Sequence, residues 1–217
     1  MRRAFTEDEL GRLLKAARLR PVAEYGRETV SLPPEEKEGR STWRYKELTY
    51  DTLEAAYERG QKALEGSPDY LAKRERLGLE RMLIYRTMVL TGLRLGELAS
   101  ITVGRLHLDS RQPHAELLAK DAKTGQRALI PLREHLVDDL RDWLDGKLEA
   151  LREQVEEDGV PLPLNLPVHE PLFAAPRNLI KSFNLDSPYG ERPTSRRRTS
   201  AAGRSTSTRS ATPSGRT

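Results

Sequence analysis

Arg94 and Glu97 stand three residues apart in the block Thr91-Gly92-Leu93-Arg94-Leu95-Gly96-Glu97-Leu98. A glycine that closes one helix, followed by an arginine that opens the next, holds a guanidinium at a junction. Its planar fork of donors suits a phosphate there. Glu97 is near enough to orient a neighbouring basic group or to cap the turn. The same residues also read as a glycine turn with a surface ion pair, because Arg and Glu at this spacing are common on helices. Further on, Lys120, Lys123 and Arg127 lie in and beside a polar stretch containing Gly125, where a lysine is by default a solvated residue. No other cluster suggests chemistry. Cysteine is absent, and His107, His114, His135 and His169 have no ligand spacing, so neither a disulfide framework nor a metal site is expected. Tyr57, Tyr70 and Tyr85 fall before or within helical segments, where packing explains them.

The elements that must position these residues are mostly helical. Thr6-Glu-Asp-Glu9 reads as a capping box, followed by Leu10, Leu13, Leu14 and Ala17 at helical spacing, with Pro21 beyond the end. Residues 21–45 are rich in Pro, Glu, Lys and Arg, and Pro33-Pro34 argues against helix; this is predicted as a long loop. A second helix is predicted over about 46–65, with Leu53, Ala56, Tyr57 and Leu64 inward. A third, from about Leu71 to Leu90, is apolar around most of its circumference, which predicts a buried central helix. A short helix at about 96–101 follows. Then come His114-Ala-Glu-Leu-Leu-Ala and Arg127-Ala-Leu-Ile-Pro-Leu, two short runs around the Gly125 loop that predict a β-hairpin. Helical periodicity returns over about 133–157, its acids reading as a solvated face, and a last short helix is expected from after Pro176 to Phe183.

The chain has 217 residues, 36% hydrophobic and 32% charged, a composition that predicts a folded centre with polar ends. The net charge of +4 is unevenly spread. Residues 187–217 hold seven Arg and one acid, a net +6, which leaves −2 on the other 186 residues. The basic character therefore lies in the tail, and the charge of the body alone says little about nucleic acid. No apolar run approaches the 18 or so residues of a membrane span, no signal peptide is evident, and a cytoplasmic protein is the default expectation.

Thr91-Gly-Leu-Arg94-x-Gly-Glu97-Leu, an acid (Asp109) about eleven residues on, and then a hairpin together resemble the first box of the tyrosine recombinase (phage integrase) family. Lys123-Thr-Gly-Gln-Arg-Ala-Leu-Ile-Pro131-Leu132 resembles that family's hairpin lysine pattern without a gap, and Arg3-Ala-Phe-Thr-x-x-Glu-Leu resembles the usual entry into its catalytic domain. The resemblance spans about Arg2 to Asp186 and is strongest over 85–145. It implies a mainly α fold with a small antiparallel sheet, with residues 21–45 as a loop insertion. It also implies double-stranded DNA as partner and a reaction through a phosphotyrosyl link that needs no metal or other cofactor. Charge developing on the phosphate must then meet fixed cations, of which Arg94 would be one. Lys123 would be the general acid that protonates the leaving 5′-oxygen, with Lys120 its nearest substitute. Glu97 would support them, and Lys120 and Arg127 would contact DNA.

The chain departs from the family pattern in what it lacks. No His-x-x-Arg box follows Phe183, no His occurs after His169, and Tyr189 is the one later tyrosine, with no second box before it. Nor does a helical DNA-clamping domain precede Arg2. The expectation is a fragment without a nucleophile, unable to cleave DNA by itself and not expected to form the family's tetramers. The rival is a non-catalytic DNA-binding protein that uses the same cations and the tail. A third outcome is a remnant whose apolar core is left uncovered where C-terminal helices are missing. From Ser187 to Thr217 there is no Leu, Ile, Val or Phe, so this segment is expected to be disordered. It also reads as out of frame. Synonymous codons for Arg204–Thr217, read one base earlier, can spell Thr-Val-Asp-Val-His-Ala-Leu-Arg-His-Thr-Phe-Gly-Thr-His, which contains the missing His-x-x-Arg pattern. Reading the coding DNA in all three frames is expected to give that box in a shifted frame beginning near Asp186–Ser187. A tail with no such box in any frame would mean a genuine basic extension.

Overall fold

The computed structural model describes residues 5–36, 42–157, 161–176 and 178–187. The expectation of a disordered, out-of-frame tail falls outside them. The chain is mainly helical with two small antiparallel sheets. In order, the elements are α1 (Glu7–Ala23), β1 (Thr29–Ser31), β2 (Trp43–Tyr45), α2 (Tyr50–Leu64), α3 (Pro68–Thr91), α4 (Leu95–Ala99), β3 (Leu106–His107), β4 (His114–Leu117), β5 (Ala128–Pro131), α5 (Glu134–Glu157) and α6 (Leu179–Asp186). Among the described residues no helix is long and apolar enough to cross a membrane.

The capping box at the start of α1 is formed: Glu9 N–H donates to Thr6 Oγ1 at 3.3 Å and Thr6 N–H to Glu9 Oε2 at 2.9 Å. The expected stop at Pro21 is not observed. The helix runs through Pro21 to Ala23 and continues as a 3-10 turn over Glu24–Gly26. Pro21 lacks only one amide, and burial of Val22 and Ala23 holds the extra turn against α2, where Leu53 and Ala56 are buried. The contact is close: a Cβ on Gly60 would lie 2.3 Å from the Val22 carbonyl oxygen. Gly78 plays the same part where α3 crosses α1, its missing Cβ leaving room for the Arg18 carbonyl.

The predicted loop over 21–45 is corrected to a two-stranded ribbon, β1 pairing with β2 in the register Thr29↔Tyr45, Val30↔Arg44 and Ser31↔Trp43. Every residue in it is exposed, so no apolar alternation marked it. Pro34 begins a 3-10 turn, Pro34–Glu36, rather than excluding helical geometry altogether. The second helix starts at Tyr50 instead of about 46. Lys46 N–H is taken by Glu28 O, and the Thr52 hydroxyl accepts Thr49 N–H at 3.1 Å. Leu53 and Ala56 point inward as predicted, while Tyr57 and Leu64 are half-buried.

α3 is central but not buried all round, contrary to the prediction. Leu83, Ile84, Tyr85 and Thr87 are buried, whereas Leu77 and Val89 are exposed. Val89 lies along an apolar groove of about 470 Å³ whose walls include Met88, Leu95, Leu179, Ile180 and Phe183. The main core joins α1, α3 and α4 to the second sheet, α5 and α6, with Leu13, Leu98, Ile101, Leu136, Leu140 and Phe173 essentially inaccessible to water. The predicted hairpin is β4–β5, with Leu117 opposite Ala128 and His114 opposite Pro131. β3 adds a third strand by pairing His107 with His114. Ala115 and Leu117 face the core, while His114 and Glu116 are on the open face.

α5 buries Leu136, Val137, Leu140 and Trp143 and turns Asp138, Asp142, Asp145, Glu149, Glu153 and Glu156 to water. An extended strap, residues 161–173, crosses it. Trp143 Nε1–H donates to Leu172 O at 2.9 Å, and Lys147 Nζ binds Glu170 Oε1 and Pro171 O, both at 2.7 Å. α6 ends one turn later than predicted because its last residue, Asp186, is an anchor. The Asp186 carboxylate is buried and accepts from Arg20 Nε at 2.9 Å, Tyr85 OH at 3.1 Å and Arg81 Nη1 at 3.5 Å. Burial pushes its carboxyl up from the ordinary aspartate value, and Arg81 and Arg20 pull it back.

Removing one partner of such a cluster leaves buried guanidinium charge unmet. Asp186→Ala is expected to destabilise the chain by about 3 kcal/mol. Tyr85→Phe, which deletes one hydrogen bond, should cost about 1 kcal/mol. Urea unfolding of both variants checks the order, and equal losses would contradict it.

Candidate phosphodiester site

The site is built at the end of α3. Thr91 Oγ1–H donates to Thr87 O at 2.6 Å, and Gly92 takes the left-handed conformation (φ 72°) that closes a helix, its N–H reaching Met88 O at 2.9 Å. Leu93 is then buried and Arg94 is extended (φ −76°, ψ 155°) at the N-cap of α4, while fully buried Leu98 anchors that short helix. Glu97 Oε2 accepts Arg94 N–H at 2.9 Å, the capping role anticipated from its spacing. Its Oε1 lies 3.4 Å from Arg94 Nη1. The Arg94 side chain is 59% exposed, and Glu97 is its one partner among the described residues, so most of its donors face water.

The same Glu97 Oε1 also accepts the backbone N–H of Lys123 at 3.1 Å, across 26 residues of chain. One carboxylate thus fastens both candidate catalytic residues. Lys123 sits in the loop between β4 and β5, which turns at Gly125 (φ 68°) and leaves the lysine side chain exposed. A second link holds this loop: Asp121 binds Arg105 at 2.9 Å, and the same Arg105 nitrogen donates to Ser100 O at 3.1 Å. The Arg105–Asp121 pair was not anticipated from the sequence, where nothing distinguishes it from other scattered charges.

Lys120 is exposed on the same loop and meets no acid among the described residues. Arg127, 65% exposed, is partly committed to Glu116, with Nε–Oε1 at 2.9 Å. His107 lies 3.9 Å from the other Glu116 oxygen and stacks on His114 with ring centroids 4.6 Å apart. Asp109, the acid of the motif spacing, does not join the site; it binds Arg141 of α5 at 2.8 Å. Among the described residues no group of three His, Asp or Glu could hold a metal ion.

None of the three tyrosines considered from the sequence contacts Arg94 or Lys123. Tyr57 donates to Glu75 at 2.9 Å, and Tyr70 shares hydrogen bonds with Tyr25 and Arg74. Tyr85 faces Asp186, and burial together with that carboxylate pushes its hydroxyl well up, which keeps it neutral and poorly nucleophilic. Comparison with family models, with characterised proteins and with solved structures finds no match for this chain.

The amides of Arg94 and Lys123 hold the Glu97 carboxyl below the ordinary glutamate value. A group with a depressed folded pKa contributes fully above its unfolded value, and the contribution is lost as pH falls through the folded one. The tie should therefore persist on acidification until below the range in which a glutamate titrates in an unstructured peptide. NMR titration of the Arg94 and Lys123 amide signals checks this. The two should move together, and Glu97→Gln should abolish the shared step; independent titration would rule out a common carboxylate.

Proposed function

We propose that this chain is the phosphate-gripping part of a tyrosine-recombinase-like catalytic domain, a binder of double-stranded DNA that does not cleave it alone. The observation that carries the reading is the Glu97 carboxylate, which brings the exposed Arg94 and the exposed Lys123 loop to one place. In this reading the Arg94 guanidinium meets charge on the non-bridging phosphate oxygens, and Lys123 delivers a proton to the leaving 5′-oxygen. Glu97 positions both without touching DNA. The mainly helical chain with a three-stranded sheet and a lysine on its hairpin suits the integrase-type fold. On this reading the protein acts on DNA, with the cytoplasm as the proposed compartment. Within these 217 residues no second-box arginine is present, and Tyr85 is locked onto Asp186, so no strand cleavage is assigned to the chain itself.

The second reading, a non-catalytic DNA-binding protein, is favoured by Lys120 and Arg127, which extend the exposed cations along the same hairpin. Both readings require phosphate contact, and they part over chemistry. Binding to a fluorescent duplex should weaken with salt. Arg94→Ala and Lys123→Ala should each lower the slope of log affinity against log salt by about 1. Unchanged slopes in both variants would remove the site from DNA binding altogether. A nicked suicide duplex should yield no covalent adduct, and an adduct would show that a nucleophile has been overlooked. A chain that cleaves nothing but rejoins a supplied 3′-phosphotyrosyl mimic would favour the recombinase reading over the simple binder.

A further inference from the structure

The first turns of α3 carry two tyrosines and an arginine that the phosphodiester site does not use. Tyr70 lies in the first turn and Arg74 one turn on, on the same side of the helix. Tyr25 comes from the 3-10 turn Glu24–Gly26 that follows α1. That turn is seated on α2: a Cβ on Gly26 would fall 1.9 Å from Ala56 O, and Arg59 Nε donates to Gly26 O at 2.8 Å. Tyr25 is thereby held edge-on to Tyr70, with ring centroids 5.7 Å apart and planes at 89°. The Arg74 guanidinium spans both rings, 4.6 Å from the Tyr70 centroid and 5.6 Å from that of Tyr25.

The hydrogen bonds of this cluster converge on one oxygen. Arg74 Nη2–H donates to Tyr70 Oη, and the two hydroxyls are bonded to each other. An oxygen that already receives a cationic donor is the better acceptor, so Tyr25 O–H donates to it as well. Tyr70 Oη then accepts twice and leaves its own proton to water. The bond from Tyr25 and, second, that from Arg74 hold the Tyr70 hydroxyl below the ordinary tyrosine value, and the shared bond pushes Tyr25 up. Tyr70 Oη is the one hydrogen-bond acceptor of Arg74 among the described residues, and Arg74 Nε is buried without a partner.

We propose that Tyr70 is a nucleophilic phenol and a covalent acylation site. Its Oη attacks the carbonyl carbon of an activated acyl donor. The O–C bond forms, the bond to the leaving group breaks, and the phenolic proton departs with that group. Tyr25 positions the oxygen, and the remaining Arg74 donors meet the charge that develops on the carbonyl oxygen. Tyr70 and Arg94 flank opposite ends of α3, roughly 30 Å apart at the rise of an α-helix. Acylation at Tyr70 therefore does not depend on DNA contact at Arg94 or Lys123.

N-acetylimidazole, which transfers acetyl and releases imidazole, is the probe, added in limiting amount to the full chain at neutral pH. Acetyl occupancy is followed at each tyrosine by peptide mass spectrometry. Exposure alone ranks Tyr45 (52%) ahead of Tyr25 (42%), with Tyr50 and Tyr70 (both 37%) behind. The hydrogen bonds reverse that order, and Tyr70 is expected to react first, several-fold faster than Tyr45. Tyr25→Phe keeps the ring and removes the hydroxyl, and Arg74→Gln removes the charge. Each should slow Tyr70 several-fold and leave Tyr45 unchanged, while the thermal melt shows the chain still folded. In urea the lead of Tyr70 should vanish. Tyr45 reacting first, a Tyr70 rate unchanged by Tyr25→Phe, or a lead that survives in urea would each overturn the proposal.

Discussion

Asp186 is the one acid buried among the described residues, and much of the architecture follows from meeting its charge. A carboxylate removed from water is stable only with close partners. Here they come from three places, Arg20 late in α1 and Arg81 and Tyr85 in α3, and none is near Asp186 in sequence. The cluster therefore fixes α6 across α1 and α3. Tyr85 lies within the last two turns of α3, the helix that Gly92 closes, so the cluster holds the end of α3 from which Arg94 follows. The Gly78 contact with the Arg18 backbone brings the same two helices to a separation that a side chain would forbid. Arg94 inherits its position from that frame.

Glu97 works differently. Its own side chain is only 13% exposed, but the Arg94 guanidinium it pairs with is 59% exposed, so the ion pair contributes little to stability. Its value lies in geometry, because backbone amides have no rotamers and a carboxylate that accepts two of them defines where the chain runs. Arg105–Asp121 adds a second point of attachment, and together they hold the β4–β5 loop beside α4 without burying it. The lysine on that loop keeps its freedom at the side chain while its backbone is held. Such division suits a residue that must reach a ligand, in contrast to Tyr85, whose hydroxyl is wholly absorbed by the fold.

Several parts of this were legible in advance, each for a local reason. The Thr6–Glu9 box, the Gly92 break, the hairpin around Gly125 and α5 all rest on interactions within a few residues, and all were found. The failures share a different cause. Pro21 has an adverse local effect that predicts a stop, but burial of Val22 and Ala23 against α2 outweighs it. The β1–β2 ribbon was invisible because it faces water on both sides and so carries no alternation. Apolar residues lie around most of α3, but which of them are covered depends on the faces that meet a neighbour, and Leu77 and Val89 meet none that buries them. Val89 and Ile180 border a groove that no described residue fills.

For the site, the sequence determined which residues were candidates: a guanidinium at a helix junction, an acid three residues on, and cations on a glycine-bearing loop. Spacing within one turn is set by covalent geometry, so the Arg94–Glu97 relation could be anticipated. Only the tertiary structure decided that Glu97 also takes the Lys123 amide, that Asp109 goes to Arg141, and that Arg127 is shared with Glu116. These contacts span from about ten to over thirty residues of chain, and they depend on how α4, the sheet and α5 pack. Side-chain type says what a residue can bind, but the partner it meets is fixed by the shape of the core between them.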